Sequence, residues 1–284
     1  MKPSCAVHRI PDYQTGSGDE KMNNHEIDYV LHGDDMQFVE VELDPSETVI
    51  AEAGSLMMME DSIAMETVFG DGSGGGGGLF GKLKGAGKRL ITGESLFMTT
   101  FTNTGTGKNH VSFASPYPGK IIPIDLSQEG GKIICQKDAF LAAAKGVSIG
   151  VEFQRRLGTG FFGGEGFIMQ KLEGDGMAFI HAGGTIHEKN LAPGEILRVD
   201  TGCFVAMTHD VDYNIETVKG VKTALFGGEG LFFATLRGPG KVWVQSLPFS
   251  RLASRVFAAA PYTPGESKGE GSVAGGLFDR LGGK

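Results

Sequence analysis

Three glutamates recur in one local setting, and a carboxylate kept in every copy of a motif is where acid–base or ligand chemistry is first sought. The copies are Gly93-Glu94-Ser95-Leu96-Phe97, Gly164-Glu165-Gly166-Phe167-Ile168 and Gly228-Glu229-Gly230-Leu231-Phe232, with glutamates 71 and 64 residues apart. Phe162-Gly163 and Phe226-Gly227 extend the second and third copies upstream. Equivalent carboxylates could form three acid or ligand sites. Catalysis, however, needs unlike groups converging on one substrate, so a residue present in every copy is more simply tied to a strained turn or a contact between copies. Gly93, Glu94, Gly164, Glu165, Gly228 and Glu229 are therefore read as structural turns.

His181, His187, Glu188 and His209 are the candidate metal ligands. The His-x-His pair with a spaced glutamate that a metal site on a β-scaffold would use is missing, and His187-Glu188 reads as a turn after Gly183-Gly184. Cys5, Cys135 and Cys203 form no CxxC pair and leave one over, which points to reduced thiols and a cytoplasmic setting. Cys135 and Cys203 read as core residues at corresponding strand positions. No Gly-x-Ser-x-Gly, Ser/His/Asp or zinc pattern appears. The expectation is a protein without catalytic residues, cofactor or metal.

The run from Gly70 to Gly78 reads as a flexible loop, because each glycine loses much backbone entropy on ordering, and no Gly-Lys-Ser/Thr follows at phosphate-loop spacing. Behind it, Leu79, Phe80, Leu83 and Leu90, with Ala86 and Ile91, fall within an arc of roughly 140° on a helix, opposite Lys82, Lys84, Lys88 and Arg89. This basic amphipathic segment is the candidate contact with a protein partner or an anionic membrane surface. Gly81, Gly85 and Gly87 weaken it as an isolated helix, so it needs a surface, and docking on the protein's own β-body is the simpler outcome.

Short strands must position these groups. After each Gly-Glu copy an apolar run, a glycine turn and a second run read as a β-hairpin, as in Phe167 to Leu172, Glu173-Gly174-Asp175-Gly176 and Met177 to His181. Ahead of the hairpins stand Leu43-Asp44-Pro45-Ser46-Glu47 and Leu191-Ala192-Pro193-Gly194-Glu195, turns that lead into strands. A first hairpin is expected between Glu26 and Leu43. Leu56-Met57-Met58-Met59 is apolar on both faces and reads as a buried strand rather than a methionine-rich binding surface. The fold class is all-β, with three internal repeats at about 27–113, 121–181 and 191–247 and short helical spacers. Residues 1–24 read as a flexible leader, 25–256 as a single β domain and 257–284 as a polar tail.

The order of Ala53-Gly54-Ser55-Leu56-Met57, the glycine-rich basic segment, Gly-Glu-Ser-Leu-Phe, Pro118-Gly119-Lys120-Ile121 and the later Phe-Gly-Gly-Glu-Gly copies resembles bacterial relatives of the Altered Inheritance of Mitochondria twenty-four family, over about Glu26 to Val256. The resemblance implies a double-stranded β-helix-like fold similar to the trp RNA-binding attenuation protein, a homotrimer, and no known catalytic activity. A net charge of −8 disfavours nonspecific nucleic-acid binding, which runs on phosphate neutralisation. No stretch is apolar for the 18 or so residues needed to span a bilayer. Two functions remain: a noncatalytic homo-oligomeric scaffold, and a small-ligand- or RNA-binding module.

Overall fold

The computed structural model describes residues 26–69, 97–155, 167–217 and 232–259. Within them the chain forms nineteen strands in three successive groups. The first holds β1 (Asp28–His32), β2 (Phe38–Leu43), β3 (Thr48–Glu52), β4 (Leu56–Met59), β5 (Ile63–Phe69), β6 (Phe97–Asn103) and β7 (Asn109–Ala114). The second holds β8 (Gly119–Asp125), β9 (Lys132–Gln136), β10 (Phe140–Ala144), β11 (Ser148–Arg155), β12 (Phe167–Glu173) and β13 (Met177–Gly183). The third holds β14 (Ile186–Leu191), β15 (Ile196–Asp200), β16 (Phe204–Thr208), β17 (Asp212–Thr217), β18 (Phe232–Arg237) and β19 (Gly240–Gln245), followed by helix α1 (Phe249–Ala259). The chain divides into a compact body through Ser250 and a second unit from Arg251.

Every strand ladder is antiparallel, and the all-β expectation holds. The groups make the same four pairings: β2–β7, β3–β6, β4–β7 and β5–β6 in the first, then β8–β13, β9–β12, β10–β13 and β11–β12, then β14–β19, β15–β18, β16–β19 and β17–β18. One irregularity recurs in all three groups, whereas a second, at Val151/Phe153 in β11, has no counterpart in β5 or β17. A register shift falls at Leu56/Met58 in β4, at Phe140/Ala142 in β10 and at Phe204/Ala206 in β16. One extra residue bends a strand locally, so a shift at the same place gives all three strands the same kink.

Successive groups are joined through their strand edges. β3 pairs with β10, with Ala51 opposite Ala142 and Ile50 opposite Ala143; β9 pairs with β16, with Cys135 opposite Ala206 and Ile134 opposite Met207. The result is two six-stranded sheets, β5-β6-β3-β10-β13-β8 and β11-β12-β9-β16-β19-β14, and two shorter ones, β1-β2-β7-β4 and β15-β18-β17. Three cores lie between consecutive sheets. Val39, Val111 and Phe113 of the first sheet meet Val49, Phe101 and Phe179 of the second. Ile50 and Ile180 of the second meet Ile133 and Trp243 of the third, and Ile134 and Phe204 of the third meet Val199 and Leu236 of the fourth.

Neighbouring residues of a strand point to opposite faces, so β3 sends Val49 and Ala51 into one core and Ile50 into the next. Strands that face two cores must be apolar throughout. Residues 49–51 of β3 and all of β10 are buried, which explains the unbroken Phe-Leu-Ala-Ala-Ala run.

The entry turns share one device. The Asp44 N–H donates to Glu47 Oε2 at 2.8 Å and the Ala192 N–H to Glu195 Oε2 at 2.9 Å. Ser46 and Gly194 occupy the same left-handed backbone, φ 73° and 78°. The turn carboxylate thus holds the loop that points the chain into β3 and β15.

Five sequence readings change. The strand couples after the Gly-Glu copies are not hairpins: β6 and β7, β12 and β13, and β18 and β19 each fall in two different sheets that share a core, because the turn carries the chain from one sheet to the next and each strand finds its ladder partners elsewhere. His187 and Glu188 lie within β14 rather than in a turn, because β14 pairs along its length with β19. Cys135 stands mid-strand in β9, whereas Cys203 closes the Thr201–Cys203 turn ahead of β16, so the two are not at corresponding positions. Phe249–Ala259 is a helix that the β-pattern reading missed, and it crosses the expected boundary at residue 257. The run Leu56-Met57-Met58-Met59 forms a strand, but it is not buried.

Candidate interaction edges and a buried polar junction

β4 occupies the place in the first group that β10 and β16 hold in the others. The shared register shift sets Met57 with Leu141 and Val205, Met58 with Ala142 and Ala206, and Met59 with Ala143 and Met207. The six residues of β10 and β16 are at most 2% exposed, whereas Met57, Met58 and Met59 are 49%, 47% and 41% exposed. The cause is topological. Among the described residues β4 ends its sheet with β7 as its one neighbour, whereas β10 is flanked by β3 and β13. Consecutive exposed residues mean that both faces as well as the edge of β4 are open.

β15 is the matching case. Its pairing with β18 puts Ile196, Leu197, Arg198 and Val199 where β3 has Thr48, Val49, Ile50 and Ala51 and β9 has Lys132, Ile133, Ile134 and Cys135. Those of β3 are buried, yet Ile196 is 51% exposed and Arg198 is exposed. β15 also ends its sheet, with β18 alone beside it among the described residues. These two are thus short terminal strands, β4 apolar throughout and β15 mixing Ile196, Leu197 and Val199 with Arg198 and Asp200, and unpaired backbone N–H and C=O groups along such an edge invite another strand.

A second feature lies where the turns between paired groups meet. Burial, with the Asp138 carboxylate adding to it and Lys137 opposing, pushes the Glu52 carboxyl up to about 7. Burial, then Asp138 and Glu52, raises the Tyr117 phenol to about 12. The Tyr117 ring stands edge-on to His181, centroids 4.4 Å apart, and tilted against Phe249 at 5.1 Å. His181 is buried, and burial holds it down at about 4, only partly opposed by a loose hydrogen bond with the Tyr117 backbone. It is a neutral core imidazole. Among the described residues no three His, Cys, Asp or Glu stand where they could hold a metal ion. Glu188 accepts from Trp243 Nε1 at 3.0 Å, and His209 is next to Asp210 at 3.3 Å.

The expected contact residues Leu79, Phe80, Lys82, Leu83, Lys84, Lys88, Arg89 and Leu90 lie outside the described residues, as do the turns Gly93-Glu94, Gly164-Glu165 and Gly228-Glu229. The strands that follow those turns, β6, β12 and β18, pair alike with β3, β9 and β15. Sequence reasoning missed the β4 and β15 edges. The signal that could have found them was that three flexible methionines stand where the other copies carry Leu-Ala-Ala and Val-Ala-Met.

An all-β body of antiparallel sheets in series, with exposed terminal strands at β4 and β15, is the class of protein that the fold defines. Residues 29–247 match the profile of the family described as Mitochondrial biogenesis AIM24, and the chain belongs to that family. An uncharacterized protein of Streptococcus pyogenes serotype M6 is 32% identical over 231 residues, covering 80% of this chain and 88% of that one. An X-ray crystal structure of a Streptococcus pyogenes protein has a similar fold, with a TM-score of 0.65 and 23% identity, over 83% of this chain and all of that one. No helix among the described residues is long and apolar enough to cross a membrane.

Proposed function

We propose that the protein is a noncatalytic, cytoplasmic, self-assembling scaffold that presents a surface to a protein partner or a membrane. One six-strand unit is written three times, and copies of the chain close into a homotrimer. The observation that carries this reading is the pair of terminal strands β4 and β15, which expose Met57, Met58, Met59 and Ile196 where their counterparts in the other groups lie between sheets. Symmetric association is the usual way to cover such edges.

The contact with a partner is assigned to Leu79, Phe80, Lys82, Leu83, Lys84, Lys88, Arg89 and Leu90, whose apolar and basic residues segregate at helical spacing. Sedimentation of the full chain tests assembly: a mass that stays at the 30.0 kDa of one copy at all concentrations refutes it. Flotation with anionic vesicles tests the surface, comparing the parent with Lys82, Lys84, Lys88 and Arg89 changed to glutamine. Flotation lost in the variant supports membrane contact. A parent that does not float, with a Leu83→Asp chain that loses thermal stability, assigns the segment to docking on protein.

A further inference from the structure

We infer that β4 of one copy pairs antiparallel with β15 of the next, Met58 opposite Val199, Met59 opposite Arg198 and Glu60 opposite Leu197, so that chains join head to tail. The inference rests on the self-association reading above and assigns the surface that performs it.

The register is transferred from within the chain. β3–β10 aligns Ala51 with Ala142, Ile50 with Ala143 and Val49 with Ala144; β9–β16 aligns Cys135 with Ala206, Ile134 with Met207 and Ile133 with Thr208. Replacing each residue by its counterpart in β15 and β4 gives the pairs named above. The same step completes the sheets. β17-β18-β15 matches β5-β6-β3 and β11-β12-β9, while β4-β7-β2 matches β10-β13-β8 and β16-β19-β14. Joining the short sheets of two copies therefore produces the six-stranded sheet already present twice, with β1 added at one edge.

Burial agrees with this. A sheet formed by β15 of one copy and β4 of the next would lie between the third sheet of the first copy and the second sheet of the other, as β3–β10 lies between the first and third sheets. That arrangement covers both faces of β4, which single-sided docking of a peptide would not. A heterologous joint of this kind closes into a ring or extends as a filament, according to the rotation per copy.

Glu60 stands where the two internal joints have Ala144 and Thr208, and Arg198 is the other departure from the pattern, since it stands where β3 and β9 carry Ile50 and Ile134. Its aliphatic stem can lie over Met59 while the guanidinium reaches water. A charge on an open edge also discourages indiscriminate strand pairing, so the joint between copies is weaker and more reversible than the two within the chain.

The experiment uses charge at one cross-strand pair. Met59→Arg sets like charges opposite each other and should raise the concentration at which copies join by about tenfold or more, with the thermal melt of the dilute chain unchanged. Combining it with Arg198→Glu restores an attractive pair and should return assembly towards the parent, by sedimentation velocity. Mixing separate Met59→Arg and Arg198→Glu chains should give mixed species, because the arginine introduced on β4 of one then meets the glutamate introduced on β15 of the other. A parent that assembles and a Met59→Arg chain that assembles equally well overturn this joint while leaving a self-assembling scaffold standing. Failure of Arg198→Glu to rescue overturns the register. A parent of single-copy mass overturns the joint between copies and the self-assembly reading together, while vesicle flotation decides the surface-contact reading separately.

Discussion

Leu141→Ala and Met57→Ala make similar truncations at corresponding places in two strand groups, and they should have unequal costs. Leu141 is 2% exposed at the register shift of β10, packed in the core between the first two sheets. Removing its three carbons loses about 0.8 kcal/mol each in transfer, and the cavity left behind raises the total to roughly 3 kcal/mol or more. Met57 is about half exposed on β4, so half of its contacts are already with water and the same reasoning leaves about 1 kcal/mol. At roughly 2–4 °C per kcal/mol for a body of this size, Leu141→Ala should lower the melting temperature by roughly 6–12 °C and Met57→Ala by about 2–4 °C. Trp243, the single tryptophan and 3% exposed, reports unfolding by fluorescence in dilute protein. Equal losses at both sites in dilute solution would mean that β4 is covered within one chain, which would refute the topological explanation of its exposure. The cost of Met57→Ala should grow with concentration if copies cover β4.

Glu52→Gln removes a carboxyl whose folded pKa is raised from 4.5 to about 7 by burial and Asp138. That group's stability is present in acid and lost as pH rises through about 7, so the variant should exceed the parent at about pH 8 by up to roughly 3 kcal/mol and match it below the ordinary value of 4.5. His181 acts oppositely: with its pKa lowered from 6.5 to about 4, its contribution is present above 6.5 and lost as pH falls, so the Glu52→Gln chain should destabilise monotonically on acidification through that window in denaturant titrations. Gly194→Ala should cost about 1 kcal/mol from its φ of 78° alone, since an added Cβ meets nothing, whereas Gly119→Ala should cost more, because its Cβ would fall 2.0 Å from the Ala182 carbonyl oxygen; equal melts for the two would refute this. Cys135, fully buried and with its thiol pushed up to about 12, should be alkylated only as fast as the body unfolds, and rapid labelling in native buffer would contradict its placement.

Much of the strand order was legible because its signals are local. Alternation marked β1 and β2, the Pro-Ser-Glu and Pro-Gly-Glu turns marked the entry to β3 and β15, and Glu173-Gly174-Asp175-Gly176 marked the turn between β12 and β13, though not that the two strands lie in different sheets. β14 was misread because Gly183-Gly184 is a strong turn signal, whereas the strand depends on pairing with β19, far along the chain. α1 was missed because a single amphipathic stretch after a long β pattern carries little weight.

The amino-acid sequence by itself determined the all-β class, the turn chemistry and the apolar strands, since these rest on backbone preference and alternation within a few residues. Only the tertiary structure decided which apolar strands are covered. Phe-Leu-Ala-Ala-Ala and Leu-Met-Met-Met are alike as strings, but one lies between two neighbours and two cores, and the other ends a sheet. Burial depends on what packs alongside, and a strand's neighbours are set by contacts far away in the chain.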